Sequence, residues 1–152
     1  MKKRIIAIIV ALFLLLTAGC GASKETAGGS VQNATPESLD LADGVYQISV
    51  TLSGGSGRAS VESPAQLRVE NGETVATIVW SSSNYDYMIV DGVRYEPLTT
   101  EEFSVFEIPI DGFDYAMPVT ADTVAMSEPH EIDYIIRFDS TTLAAVTDGE
   151  ES

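Results

Sequence analysis

The residues best suited to chemistry gather in two short stretches. In Trp80-Ser81-Ser82-Ser83-Asn84-Tyr85-Asp86-Tyr87-Met88, indole, phenol and thioether side chains crowd the end of one strand and the start of the next. In Met126-Ser127-Glu128-Pro129-His130-Glu131-Ile132-Asp133-Tyr134, the only histidine begins a strand and a tyrosine follows four residues on. Even spacing puts His130, Ile132 and Tyr134 on one sheet face. His130 and Tyr134 are then about 13 Å apart along a straight strand, too far to touch but able to line one apolar pocket. Tyr85, Tyr87 and Met88 have the character of an adaptable binding surface. This is the chemistry of holding a ligand.

Catalytic patterns are weak by comparison. The only cysteine is Cys20, remote from these stretches, and no Gly-x-Ser-x-Gly elbow is present. Gly54-Gly55-Ser56-Gly57-Arg58 lacks the Lys-Ser/Thr ending of a phosphate-cradling loop and reads as a connection between strands. Asp111-Gly112-Phe113-Asp114 lacks the dense acidic loop of calcium motifs. A hydrolase built on an Asp/Glu pair is a third reading, ranked below two kinds of binding protein.

The elements that position these residues follow a period of two. Tyr46, Ile48, Val50 and Leu52 alternate with polar residues, as do Leu67 and Val69, and Phe106, Ile108 and Ile110. Asn71-Gly72 and Asp91-Gly92 sit between such runs and signal hairpins joining to Glu73–Trp80 and Val93–Leu98. Val119–Ala125 is a weaker strand, and His130, Ile132, Tyr134, Ile136 and Phe138 mark a clear last one. Seven or eight antiparallel strands in about 100 residues predict an all-β, immunoglobulin-like sandwich, with a small barrel as the alternative. Trp80, Tyr46 and Phe138 are expected in its packing.

Charge narrows the partners. Eight basic residues stand against 23 acidic ones in 152 residues, a formal −15. Lys2, Lys3 and Arg4 precede every acid, so beyond Cys20 five bases against 23 acids leave −18. Such a surface repels phosphate backbones, and no nucleic-acid partner is expected.

The cationic start leads into the apolar run Ile5–Leu16, too short for a bilayer span but suited to a signal peptide. Leu16-Thr17-Ala18-Gly19-Cys20 resembles the lipobox of bacterial lipoproteins, in which the cysteine is lipidated and becomes the first residue. Residues 1–19 are then a lipoprotein signal peptide, and 20–39 a Gly/Ser/Ala/Thr-rich tether reaching roughly 25 Å. The folded domain is expected over 40–140, and 141–152 as an acidic tail. The location that follows is the outer side of a bacterial cell membrane, lipid-anchored, on a Gram-positive surface.

The body resembles the NEAT (near iron transporter) domain of Gram-positive surface haem-binding proteins. Asp43-Gly44-Val45-Tyr46-Gln47-Ile48 is similar to that family's Asp-Gly-x-Tyr opening. The Asn71-Gly72 hairpin, the Ser-rich strand end, Asp91-Gly92 and Phe106-Glu107-Ile108-Pro109-Ile110 follow in similar order. His130-x-x-x-Tyr134 stands where the family carries Tyr-x-x-x-Tyr, whose first tyrosine is the axial iron ligand and whose second hydrogen-bonds to it. The resemblance implies haem as cofactor, His130 as its iron ligand and Tyr134 behind it. Tyr85, Tyr87 and Met88 would wall the pocket. Met88 and Met126 are fallback thioether ligands, and Arg58, Arg68 or Arg94 would pair with the propionates. Arg137 falls on the opposite strand face from His130. A transporter or a second haem protein is the implied partner. Two departures keep a second reading open, a cofactor-free module binding a protein or glycan: histidine replaces the first tyrosine, and Ser53–Ser63 lacks the aromatic residue of the family's helical lip.

If Cys20 carries the anchor, Cys20→Ser releases the protein from the membrane fraction, because single acyl chains already bind only marginally and nothing else here spans. A mutant that stays in the pellet through a carbonate wash contradicts the lipoprotein reading.

Overall fold

Alternation along the chain becomes eight strands: β1 (Gly44–Gly54), β2 (Ala65–Glu70), β3 (Glu73–Val79), β4 (Tyr85–Val90), β5 (Val93–Tyr95), β6 (Val105–Pro109), β7 (Met117–Thr123) and β8 (His130–Ala145). The structure is a computed structural model and describes residues 34–147. The expected signal peptide, Cys20, most of the expected tether and the last five residues lie outside that range. Among the described residues there is no helix.

All strand pairs are antiparallel, in the order β5-β4-β7-β8-β1-β2-β3-β6. The two outermost strands approach through the chain that joins them: Leu98 N donates to Val105 O at 2.7 Å and Val105 N to Thr99 O at 3.0 Å. The sheet is therefore rolled and barrel-like, in keeping with the expected immunoglobulin-like architecture. Its two layers are continuous because β8 serves both. Residues His130–Ile136 pair with β7, and Tyr134–Asp139 pair with β1.

The predicted hairpins form as their residues dictate. Asn71 and Gly72 (φ 53° and 81°) and Asp91 and Gly92 (φ 50° and 76°) take left-handed conformations in two-residue loops, the geometry that matches strand twist. Inward positions then build one core around the fully buried Trp80, Phe106, Phe113, Ile48, Leu67 and Ile136, with Phe138 1% exposed. Each such side chain contributes about 1.5–3 kcal/mol when removed from water. Tyr46 packs beside this core, and its hydroxyl donates to Ala42 O at 2.7 Å.

Packing extends past both expected boundaries. Ahead of residue 40, Phe113 N donates to Ala34 O at 2.6 Å and Ala34 packs against the core. The tail expected from Thr141 is instead the end of β8, and Val146 N still donates to Val45 O at 2.8 Å. A bulge hides this in the sequence. Ser49 pairs with Asp139 but Gln47 with Ala144, so residues 140–143 stand opposite the single Ile48, three more than the ladder needs. Asp114 holds that bulge through Ser140, and Thr142 Oγ1 accepts from Ser49 N at 2.8 Å. Asp114 is thus a structural acceptor, and no group of three His, Cys, Asp or Glu residues among those described is arranged for a metal ion.

Gly54 has φ +109°, and a Cβ there would lie 2.7 Å from the Asp133 carbonyl oxygen. Gly54→Ala is expected to lower stability by more than about 1 kcal/mol, read as a reduced denaturant midpoint; an unchanged midpoint would refute this packing.

Candidate functional site

Backbone bonds lace four connections into one rim. Ser81 N donates to Ser60 O, Ser104 N to Ser82 O and Trp80 N to Ser104 O, each at 2.9 Å, and Val124 N donates to Asn84 O at 2.8 Å. The β1–β2, β3–β4, β5–β6 and β7–β8 connections therefore share one end of the sandwich. His130 stands there as the first residue of β8, exposed, on the core-facing side of the strand. Burial deepens along that side, from His130 through half-buried Ile132 to Tyr134, which is 3% exposed. Met126 and Val124, 67% and 45% exposed, add apolar surface to the β7–β8 connection that leads into His130. Arg58 is exposed on the β1–β2 connection of this rim.

Tyr134 belongs to the core beneath the rim. Its hydroxyl lies 3.3 Å from that of Tyr85, and the two rings pack on Trp80, Tyr85 stacked at 4.1 Å and Tyr134 edge-on at 5.2 Å. Burial, then the bond to Tyr134, raises the Tyr85 phenol above the ordinary range. Gly55 closes the cluster from outside: a Cβ there would meet Tyr134 Cε1 at 2.9 Å and Ile132 Cγ2 at 3.1 Å. The lip is thus a glycine turn, with Gly57 N donating to Gly54 O at 3.3 Å, seated on the Tyr134 side chain. The hydroxyl expected to support His130 is turned instead toward Tyr85.

The expected pocket wall does not assemble. Met88 is fully buried and its Sδ accepts from Trp80 Nε1 at 3.4 Å, so it is a core side chain and no fallback ligand. Tyr85 is buried beside it. Tyr87 points to the other face, where its hydroxyl donates to Glu131 Oε1 at 2.6 Å and the Arg94 guanidinium lies 3.8 Å from its ring centre. A bulge causes the split. Tyr85 pairs with Thr123 and Tyr87 with Asp122, leaving Asp86 unpaired and shifting the alternation by one. Tyr85 and Met88 can then both face inward although an odd step separates them.

Of the three candidate propionate partners, Arg58 alone is at the rim. Arg68 pairs with Glu107 at 3.4 Å, and Arg94 with Glu96 at 2.7 Å on the outer face. Cavities of about 440 and 460 Å³ lie at the Gly72–Asp111 end and along the outer face of β4, β7 and β8, and His130 lines neither. Sequence reasoning passed over two features. Val124 and Phe103 (38% exposed) are rim apolars, visible only as hydrophobic residues inside connections. Asp122, 1% exposed, gave no signal at all, because its position on the outer face of a strand normally means solvent.

This architecture has solved counterparts. The NEAT5 domain of IsdX2, a B. anthracis hemophore in complex with heme, matches with TM-score 0.54 and 20% identity, covering 66% of this chain and 98% of that one. A point variant of the same domain, also in complex with heme, matches with TM-score 0.55, 20% identity and the same coverage. The fold is that of a NEAT domain. No family model matches the chain, and a search of curated proteins finds no match.

The bond from Tyr87 to Glu131 is the first cause of a tyrosine pKa pushed up to about 12, with burial second. A phenol whose folded-state pKa is raised adds stability below its unfolded value near 10, and that contribution is lost as pH rises toward 12. Glu131→Gln should therefore return Tyr87 toward the ordinary range, seen as earlier phenolate absorbance in an alkaline titration; an unshifted curve would mean the bond is absent.

Proposed function

We propose that this protein is a binding module that captures haem or a closely related planar ligand at the rim, without catalysis. The observation that carries the reading is the placement of His130: a single exposed imidazole on the core-facing side of β8, on the same face as Ile132 and following a connection that exposes Val124 and Met126. These residues fit the group. Imidazole is a haem-iron ligand, the apolar neighbours suit a porphyrin face, and exposed Arg58 suits a propionate. Two heme-bound NEAT structures with the same fold support it. In this reading Met126 is the remaining thioether candidate, and Tyr134 acts only by holding the floor.

The proposal extends to location: a lipoprotein anchored through Cys20, outside the cytoplasm, passing its ligand to a transporter or second haem protein. The cationic start, the apolar run and the lipobox support that part. Among the described residues no helix is long and apolar enough to cross a membrane.

One observation favours the cofactor-free interaction module. Gly55 sits directly on Tyr134 and Ile132, so the lip and the strand meet with no gap for a ring system between them. A haem titration separates the two readings. Wild-type protein should develop a Soret band. His130→Ala should shift that band and weaken affinity at least tenfold, about 1.4 kcal/mol. Tyr134→Phe should leave the band in place while lowering stability by about 1 kcal/mol, the worth of one buried hydrogen bond. No Soret band at micromolar haem would select the interaction module instead.

A further inference from the structure

Behind the hairpin that carries His130 lies an acidic pair, Asp122 buried and Asp86 half-buried, that the proposed binding does not use. Asp122 stands on the outer face of β7 yet is 1% exposed. Its cover comes from the strands on either side. Tyr87 on β4 and Glu131 on β8 both pair in register with Asp122, and their side chains join over it through the 2.6 Å bond. Beneath this bridge, Asp122 Oδ2 and Asp86 Oδ1 are buried and have no hydrogen-bond partner. Asp86 is the unpaired residue of the β4 bulge, and that extra residue is what carries its carboxyl toward Asp122.

Two carboxylates in one buried site cannot both stay charged without a cation or a proton. The neighbouring cation is Arg94 on β5, but its Nε is bound to Glu96 and its guanidinium lies against the Tyr87 ring. Glu131 adds a further negative charge from β8. Among the described residues no third acid, histidine or cysteine completes a metal-binding group. One proton does what the site requires, because it turns one carboxyl into a donor to the other.

We propose that Asp86 and Asp122 share a single proton, and that this proton is a pH-sensitive clamp fixing β4 against the β7–β8 hairpin. The groups facing Asp122 are Asp86 and Tyr87 from β4, Arg94 from β5 and Glu131 from β8. Burial, followed by Asp86, raises the Asp122 carboxyl above the ordinary range, with Arg94 as the opposing influence. When the proton leaves, two like charges face each other out of water, and hydrating them requires the Tyr87–Glu131 bridge to open. Glu131 adjoins His130, so the rim loosens where the ligand would be held. The sign follows from linkage. A carboxyl whose folded-state pKa is raised above the unfolded value of about 3.9 contributes stability that is complete below that value and lost as pH rises through the folded one. The clamp is independent of haem; only its consequence for a ligand rests on the function proposed above.

The test uses full-length, ligand-free protein, so failure of the haem reading leaves it untouched. Carboxyl-carbon NMR should show the Asp122 carboxyl titrating above the ordinary range. Amide protection across Thr120–Asp133 should fall at least about tenfold in wild type once that aspartate ionises. Asp122→Asn, which cannot ionise, should keep its protection and match wild type only at low pH. Asp86→Asn should behave in the same way and serves if the first variant does not fold. The proposal is overturned if both carboxyls titrate in the ordinary range, or if wild type and the Asn variants lose protection in parallel.

Discussion

The rim depends on one constraint, the sharing of β8 between two neighbours. Its first residues are held by β7 and its later ones by β1, with Tyr134–Ile136 paired to both. A strand that passes from one layer to the other has its inner face exposed at one end and buried at the other. His130, Ile132 and Tyr134 are three points on that gradient. An imidazole four residues deeper, at the position of Tyr134, would be enclosed in the core. At the strand's start it meets solvent while still facing the apolar side.

Beneath that point the Trp80, Tyr85 and Tyr134 rings form a solid floor. Trp80 stacks on one tyrosine, meets the other edge-on and donates to the Met88 sulfur. Ser104 anchors the same corner by accepting from Tyr85 N at 3.0 Å and donating to Tyr85 O at 2.8 Å. Polar atoms of large aromatic side chains are thereby satisfied within the core, as buried groups must be. The proposed ligand surface is confined to what lies above this floor: His130, Ile132, the hairpin apolars and Arg58. Such a surface is shallow, and its affinity rests on few side chains.

The net charge opposes an anionic ligand, but only nearby groups act on it at physiological salt. Five bases against 23 acids beyond Cys20 give the chain a formal −18, but charges further off than about 8 Å are largely screened at physiological salt. In the proposed binding Arg58 is the rim's candidate partner for an anionic group, because Arg68 and Arg94 are paired on outer faces.

Period-two alternation and the two left-handed hairpin dipeptides determined the strands, the two antiparallel hairpins and the burial of Trp80 and Phe138, while the order of the strands in the sheet came from tertiary pairing. They also put His130 and Tyr134 on one face, because alternation within a single strand is a local property of the backbone. Tertiary structure decided the rest. The bulge at Asp86 exists only through pairing with β7, and it sends Tyr85 and Met88 into the core while Tyr87 turns out. The bulge in β8 exists only through pairing with β1, and it disguises the strand's end as a polar tail. Gly55 covers Tyr134 from 79 positions away in the sequence. Asp122 is buried by side chains on two neighbouring strands. Which face a residue takes beyond a bulge, and what covers it there, depends on partners distant in sequence, so composition and spacing along one strand carry no record of it.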